Sequence, residues 1–199
     1  LLAGINARGK STVTEPHASR DHTESILRHF GASVTQTTAA DGTHHVALQG
    51  EVILHAADIA VPRDPSSAAF PMVAALLTPG SDITLAGIGM NPLRTGLITT
   101  LQEMGGDITL SHARVEGGEA VADIRVKHSR LHGIDVPADR AASMIDEYPI
   151  LAIAATQADG ITRMQGVAEL RIKETDRIAA VADGIATAGG TVHHDDDSM

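Results

Sequence analysis

Three times along the chain an apolar helical stretch ends at glycine and gives way to residues of β character, over residues 25–35, 101–110 and 185–193. Glycine just past a helix adopts the left-handed conformation without a Cβ clash, so each instance reads as a helix C-terminus feeding a strand. The first glycines are Gly31, Gly105 and Gly189, which spaces the recurrences 74 and 84 residues apart. That is too long for a solenoid repeat. It suits a βαβαββ unit used several times.

Local signals agree with this pattern. Asp64-Pro65-Ser66-Ser67 reads as an N-cap with proline at the first helical position, Asn91-Pro92 repeats the device, and Asp21-His22-Thr23-Glu24 is a weaker start. Ile178, Val181 and Ile185 form one apolar stripe on the last helix. Alternating stretches over residues 11–14, 33–38, 44–49, 83–86, 107–111 and 121–126 read as strands, with Asp41-Gly42 as a hairpin turn between two of them. Strands and helices alternate throughout, so the fold class is α/β (α+β). The proline-rich, charged passage over residues 61–65 is either a domain crossover or an ordinary loop.

Composition excludes several partners. Aromatic residues are 2% of the chain, with no Trp, so the core must be built from Ala, Leu, Ile and Val, and base stacking is scarcely available. A formal net charge of −10 disfavours nucleic acid and anionic membranes, while leaving room for a local basic pocket. Cysteine is absent, which removes disulfides, thiol nucleophiles and Cys-based zinc sites and fits a cytoplasmic location. The apolar stretch over residues 68–77 is interrupted by Pro71 and is too short to span a bilayer. The chain opens on Leu1-Leu2-Ala3-Gly4 without Met and stops at Met199 after a strand-like stretch. Both ends read as cut, and a longer parent protein is expected.

Charge is concentrated in Arg171-Ile172-Lys173-Glu174-Thr175-Asp176-Arg177, at what reads as a loop-to-helix junction. Such a junction attracts anions through its unpaired N–H groups and positive dipole end. If the segment is helical, Lys173 and Arg177 share a face as an i, i+4 pair, and an anion between them would relieve their repulsion. By itself the run also reads as a solvated helix start capped by Thr175 or Asp176. Asp146-Glu147, ahead of an apolar helix over residues 150–156, is either a pair of acids favoured by the helix dipole or includes a general base. Arg20, in the Ser19–Thr23 turn, is a candidate phosphate ligand or a surface residue. His193-His194-Asp195-Asp196-Asp197 and His44-His45 put neighbours on opposite faces of a strand, so no metal site is expected.

Together and in this order, several segments resemble the 5-enolpyruvylshikimate-3-phosphate synthase family. They are residues 1–4, 14–16, 19–24, 64–70 (Asp64-Pro65-Ser66-Ser67-Ala68-Ala69-Phe70), 90–96, 143–151 and 169–177. The wording of residues 64–70 and 146–149 resembles the family's glyphosate-tolerant bacterial class. The resemblance implies two domains, each of three βαβαββ units about a pseudo-three-fold axis. Residues 1–61 would then hold one repeat of the inserted domain, residues 62–199 about two repeats of the other, and the hinge would lie near 61–64. The implied reaction moves the enolpyruvyl group of phosphoenolpyruvate to the 5-hydroxyl of shikimate 3-phosphate and releases phosphate. By matching position, Asp146 is the base that also holds the shikimate hydroxyls, and Glu174 handles the methylene proton. Lys173 and Arg20 contact shikimate 3-phosphate, and Arg177 contacts phosphoenolpyruvate. Glu147 carries no role beyond its first-turn placement. No cofactor or metal, and a monomer, are implied.

Parts of the family's site fall outside residues 1–199, so the chain alone is expected to turn over slowly or not at all. Two other readings stay open at this point. UDP-N-acetylglucosamine enolpyruvyl transferases share the fold, but many use a cysteine that this chain lacks. A non-catalytic anion-binding module would keep Arg20 and Arg177 without needing the carboxylates.

Overall fold

The computed structural model describes residues 1–199, which divide into two compact units. One is Leu1–Pro62 with Arg114–Val121, and the other is Arg63–Ala113 with Ala122–Met199.

The first unit contains helix α1 (Leu2–Ile5), strand β1 (Lys10–Glu15), helix α2 (His22–His29) and strands β2 (Val34–Thr38) and β3 (His44–Gln49). The strands form one antiparallel sheet in the order β1-β3-β2. β3 takes the middle because it is the most apolar of the three; Val46, Ala47 and Leu48 are all buried. Leu27 of α2, Ala32 and Val34 close a small core over Val46 and Leu48. The hairpin at Asp41-Gly42 forms as read: Gly42 has φ +87°, and the Thr43 N–H donates to Asp41 Oδ1 at 2.9 Å. His44 and His45 diverge as neighbours on a strand must, His44 Nδ1 lying 3.0 Å from Thr38 Oγ1 on β2 and His45 Nδ1 3.0 Å from Thr14 Oγ1 on β1.

The second unit supplies helix α3 (Pro65–Leu77), strand β4 (Asp82–Gly89), helix α4 (Gly96–Glu103), strands β5 (Asp107–Glu116), β6 (Glu119–Lys127) and β7 (Asp135–Val136), helix α5 (Tyr148–Ala155), strand β8 (Arg163–Met164) and helix α6 (Arg177–Thr187). Residues 114–116 of β5 and 119–121 of β6 fall with the first unit. Four 3-10 turns, Pro92–Arg94, Ala138–Ser143, Ile145–Glu147 and Ala168–Ile172, lie between these elements. One sheet has the order β4-β6-β5; the other is the parallel pair β7-β8. The core joins α3, α4, α5 and α6, with Met72, Leu76, Leu101, Tyr148, Leu151 and Ile178 among its fully buried side chains. α3 and α5 pack against each other. No helix is long and apolar enough to cross a membrane.

Capping follows the sequence closely. Asp64 caps α3, accepting from the N–H groups of Ser66 at 3.2 Å and Ser67 at 2.9 Å, with Pro65 at the first position. The helix runs on through Pro71. Asp176 caps α6 by accepting from the Ala179 N–H at 3.0 Å. Gly31, Gly105 and Gly189 all have φ near +90°, at +89°, +93° and +88°.

Three expectations are corrected. Asn91-Pro92 opens the 3-10 turn Pro92–Arg94 rather than a full helix, and α4 begins at Gly96. α5 begins at Tyr148, two residues before the expected start, because Pro149 needs no N–H partner in a first turn. The stretch after Gly189 is not a strand. Extended residues become a strand only when a second backbone pairs with them, and nearby there is a single bridge, Gln165↔Ser198.

Asp64→Ala is expected to cost about 1 kcal/mol, the usual worth of an N-cap. Burial pushes the Asp64 carboxyl up, but the hydrogen bonds from Ser67 and Ser66, helped by Arg94, leave it below the ordinary 3.8. A carboxyl lowered by folding contributes stability above its unfolded value and loses it as pH falls through the folded one. The wild-type and Asp64→Ala melting curves should therefore converge below about pH 4, which thermal unfolding across pH 2–7 would measure. A Cβ on Gly96 would lie 2.2 Å from Ser143 Oγ and 3.0 Å from Met144 Cγ. Gly96→Ala is expected to destabilise the chain by about 1–3 kcal/mol, read by urea unfolding.

Candidate active site

The parallel pair β7-β8 explains why distant segments meet. Asp135 pairs with Arg163 and Val136 with Met164, so both strands point the same way. Parallel strands need a long crossover, and here α5 provides it. The chain therefore leaves both strands at the same end. After β7 it runs through two 3-10 turns to Asp146; after β8 it runs through one to Lys173, Glu174 and Arg177. Crevices beyond the carboxyl ends of parallel strands are where α/β proteins place ligands.

Arg177, first residue of α6, joins the two candidate carboxylates. Its Nε and Nη2 donate to Glu174 Oε1 and Oε2 at 3.0 and 2.8 Å, a two-toothed fork, while Nη1 donates to Asp146 Oδ1 at 3.2 Å. The planar guanidinium carries five donors and can serve both acids at once. The hydrogen bonds from Arg177 hold the Glu174 carboxyl below its ordinary value, and the Arg177 guanidinium is in turn held further toward its charged form. Asp146 and Arg177 are about a third and a quarter exposed, at 32% and 24%, whereas Glu174 is open to solvent at 67%.

Lys173 departs from the expected arrangement. Residues 173–176 are not helical, so Lys173 and Arg177 do not form an i, i+4 pair on one face. The Lys173 ammonium is bonded to the Glu169 carboxylate instead. The reason is the cap: Asp176 needs extended backbone to reach the Ala179 N–H, which starts α6 only at Arg177. Arg171 props the junction from behind, its Nη1 donating to Asp176 Oδ2 at 2.8 Å and its Nε to the Asp196 carbonyl at 3.2 Å.

The segment bearing Asp146 is pinned at several points. Arg140 Nη2 donates to Glu103 Oε1 at 2.8 Å and its Nη1 to Thr100 Oγ1 at 3.1 Å, both on α4. Tyr148 is fully buried, and burial pushes its phenol up to about 12. Glu147, which the sequence left without a role, is buried and accepts from Ser66 Oγ. Arg94 joins it without a sequence signal of its own; its Nη2 donates to Ser66 Oγ at 2.6 Å and lies 3.8 Å from Glu147 Oε1. No sequence signal marks this trio, because Ser66 and Glu147 stand 81 residues apart.

Arg20 belongs to the first unit. There it lines a groove of about 460 Å³ with Ser19, Thr23, Glu24 and Glu15. Ser19 orders the turn, its N–H donating to Glu15 Oε2 at 3.1 Å.

Comparison with known proteins gives one consistent result. The model of the family "EPSP synthase (3-phosphoshikimate 1-carboxyvinyltransferase)" matches residues 1–199. The 3-phosphoshikimate 1-carboxyvinyltransferase of Granulibacter bethesdensis is 59% identical over 100% of this chain and 44% of its own length. That of Methylorubrum populi is 62% identical over 98% of this chain and 43% of its own. The chain thus spans less than half the length of these relatives. Among solved structures, EPSP synthase from Acinetobacter baumannii superposes with a TM-score of 0.89 at 44% identity, over 99% of this chain and 43% of that one. The enolpyruvyl transferase NikO of Streptomyces tendae, 20% identical with a TM-score of 0.59 over 82% of this chain and 37% of its own, shares the fold. With a family match over every residue, and the two carboxylates and the arginine brought together in space, the chain belongs to the EPSP synthase (3-phosphoshikimate 1-carboxyvinyltransferase) family.

Proposed function

We propose that the full-length protein transfers the enolpyruvyl group of phosphoenolpyruvate to the 5-hydroxyl of shikimate 3-phosphate and releases phosphate, a step toward aromatic amino acids. The observation that carries this reading is Arg177 holding Asp146 and Glu174 together. The reaction needs a proton delivered to the methylene carbon of phosphoenolpyruvate, which creates cationic character at its neighbour. The 5-hydroxyl attacks that neighbour as it gives up its own proton. Loss of phosphate with return of the methyl proton then leaves the enol ether. Two carboxyl groups in different surroundings suit these two transfers.

In this assignment Asp146, the less exposed acid, takes the hydroxyl proton and binds the shikimate ring. Glu174, the more exposed one, moves the methylene proton. Arg177 binds phosphoenolpyruvate, and Lys173 and Arg20 bind shikimate 3-phosphate. The geometry supports a sequence of events. With its fork on Glu174, Arg177 keeps that carboxyl ionised and unfit to donate. An arriving polyanion competes for the guanidinium. Once Arg177 turns to the substrate, Glu174 loses the charge that lowers it and can carry a proton. Lys173 must likewise exchange Glu169 for a phosphate.

The remaining assignments follow the family. Residues 1–61 are read as one repeat of the inserted domain and 62–199 as about two repeats of the second, with the hinge near 61–64. The full-length protein is read as a cytoplasmic monomer that binds neither nucleic acid nor membrane and needs no cofactor.

Two measurements test this. In the full-length protein, Glu174→Gln is expected to slow steady-state phosphate release from shikimate 3-phosphate and phosphoenolpyruvate by about 10²–10⁴-fold, with calorimetric binding of shikimate 3-phosphate retained. Wild-type protein that binds but releases no phosphate would instead favour an anion-binding module, and release only with UDP-N-acetylglucosamine would favour the sister activity. Second, Arg177→Ala should raise the Glu174 titration midpoint toward the ordinary glutamate value, followed by carboxyl-carbon NMR. An unmoved midpoint would contradict the exchange described for Arg177.

A further inference from the structure

Glu147 is the buried neighbour of Asp146, and its environment is unlike that of any other acid in the second unit. Both sit in the three-residue 3-10 turn Ile145–Glu147. Successive side chains in such a turn point about 120° apart. Asp146 is therefore directed toward Arg177 while Glu147 goes inward, where it is 3% exposed. There it accepts from Ser66 Oγ, on the first turn of α3. Ser66 Oγ in turn accepts from Arg94 Nη2 at 2.6 Å, and Arg94 Nη2 also lies 3.4 Å from Asp64 Oδ1, the cap of α3. Arg94 is itself 12% exposed and comes from a third segment, the turn Pro92–Arg94. The turn carrying Asp146 is thus tied on its inner side to the capped end of α3.

A turn of three residues has little freedom of its own. Fixing the direction of one side chain fixes the rotation of the turn, and with it the direction of the next. We propose that Glu147, through Ser66 and Arg94, is a positioning residue that aims the Asp146 carboxylate at the reacting hydroxyl. This rests on the enolpyruvyl-transfer reading and adds to it a role for three residues that contact no substrate in that reading. The short tie matters because a general base displaced by about 1 Å can lose roughly 100-fold in rate.

The test is a double-mutant cycle in the full-length enzyme, with kcat, KM for both substrates and melting temperature measured for each variant. Glu147→Ala is expected to lower kcat about 100-fold on folded enzyme. Glu147→Gln, which keeps the length and an acceptor for Ser66, should recover to within about ten-fold of wild type. In an Asp146→Asn background, Glu147→Ala should add less than about three-fold, because a residue acting only through Asp146 has nothing left to aim. Losses that multiply in the double variant, or a Glu147→Ala enzyme that melts earlier yet keeps wild-type kcat, would overturn the positioning role alone. An Asp146→Asn enzyme as fast as wild type would remove both that role and the assignment of Asp146. Should Glu147→Ala fail to fold, Ser66→Ala leaves the carboxyl in place, removes the hydroxyl that donates to it, and enters the same cycle with the same expected non-additivity.

Discussion

A two-residue parallel ladder organises the candidate site of this chain. Asp135 and Val136 run alongside Arg163 and Met164, and parallel direction is the constraint that matters. It obliges the chain to cross over through α5 before pairing again. It also delivers both loops that carry the candidate residues to one end of the pair. An antiparallel arrangement would have sent them to opposite ends. The pair is too short to hold itself together; its Val136 and Met164 are buried in the apolar core of the second unit, which carries that load.

Within the site, charge is balanced by proximity rather than by burial. One guanidinium faces two carboxylates, and a lysine faces a third. Exposed pairs of this kind add little to stability. In the proposed reaction their value lies in being exchangeable, since each cation can leave its acid for a stronger anion. The trio of Ser66, Arg94 and the buried Glu147 is of another kind. Desolvated polar groups are costly to disturb, so Glu147, 3% exposed, is more firmly held than Glu174, 67% exposed.

The ends of elements were legible in the sequence because caps act within three or four residues. Asp64 and Asp176 bond N–H groups two or three positions on. Glycines 31, 105 and 189 sit at the helix ends expected of them. β3 could be read to the residue because its short apolar run is bounded by polar residues and by the Asp41-Gly42 turn. β7 and β8 could not, since two residues carry no period. The pairing of Arg177 with Glu174 lies within local range, but that with Asp146 spans 31 residues, and only the resemblance to a family joined them. The face that Lys173 and Arg177 would share on a helix does not form, because the Asp176 cap demands extended backbone. Arg94 and Glu147 were invisible for the opposite reason: their partners are set by tertiary packing alone.

The scarcity of aromatic rings has an optical corollary. The chain has one tyrosine and no tryptophan, and that tyrosine, fully buried, follows Glu147 directly. Excited at its phenol band, residues 1–199 emit from a single point, two positions beyond Asp146. The molecule thus contains its own unlabelled fluorophore, and the light it gives off comes from the residue that follows the Ile145–Glu147 turn.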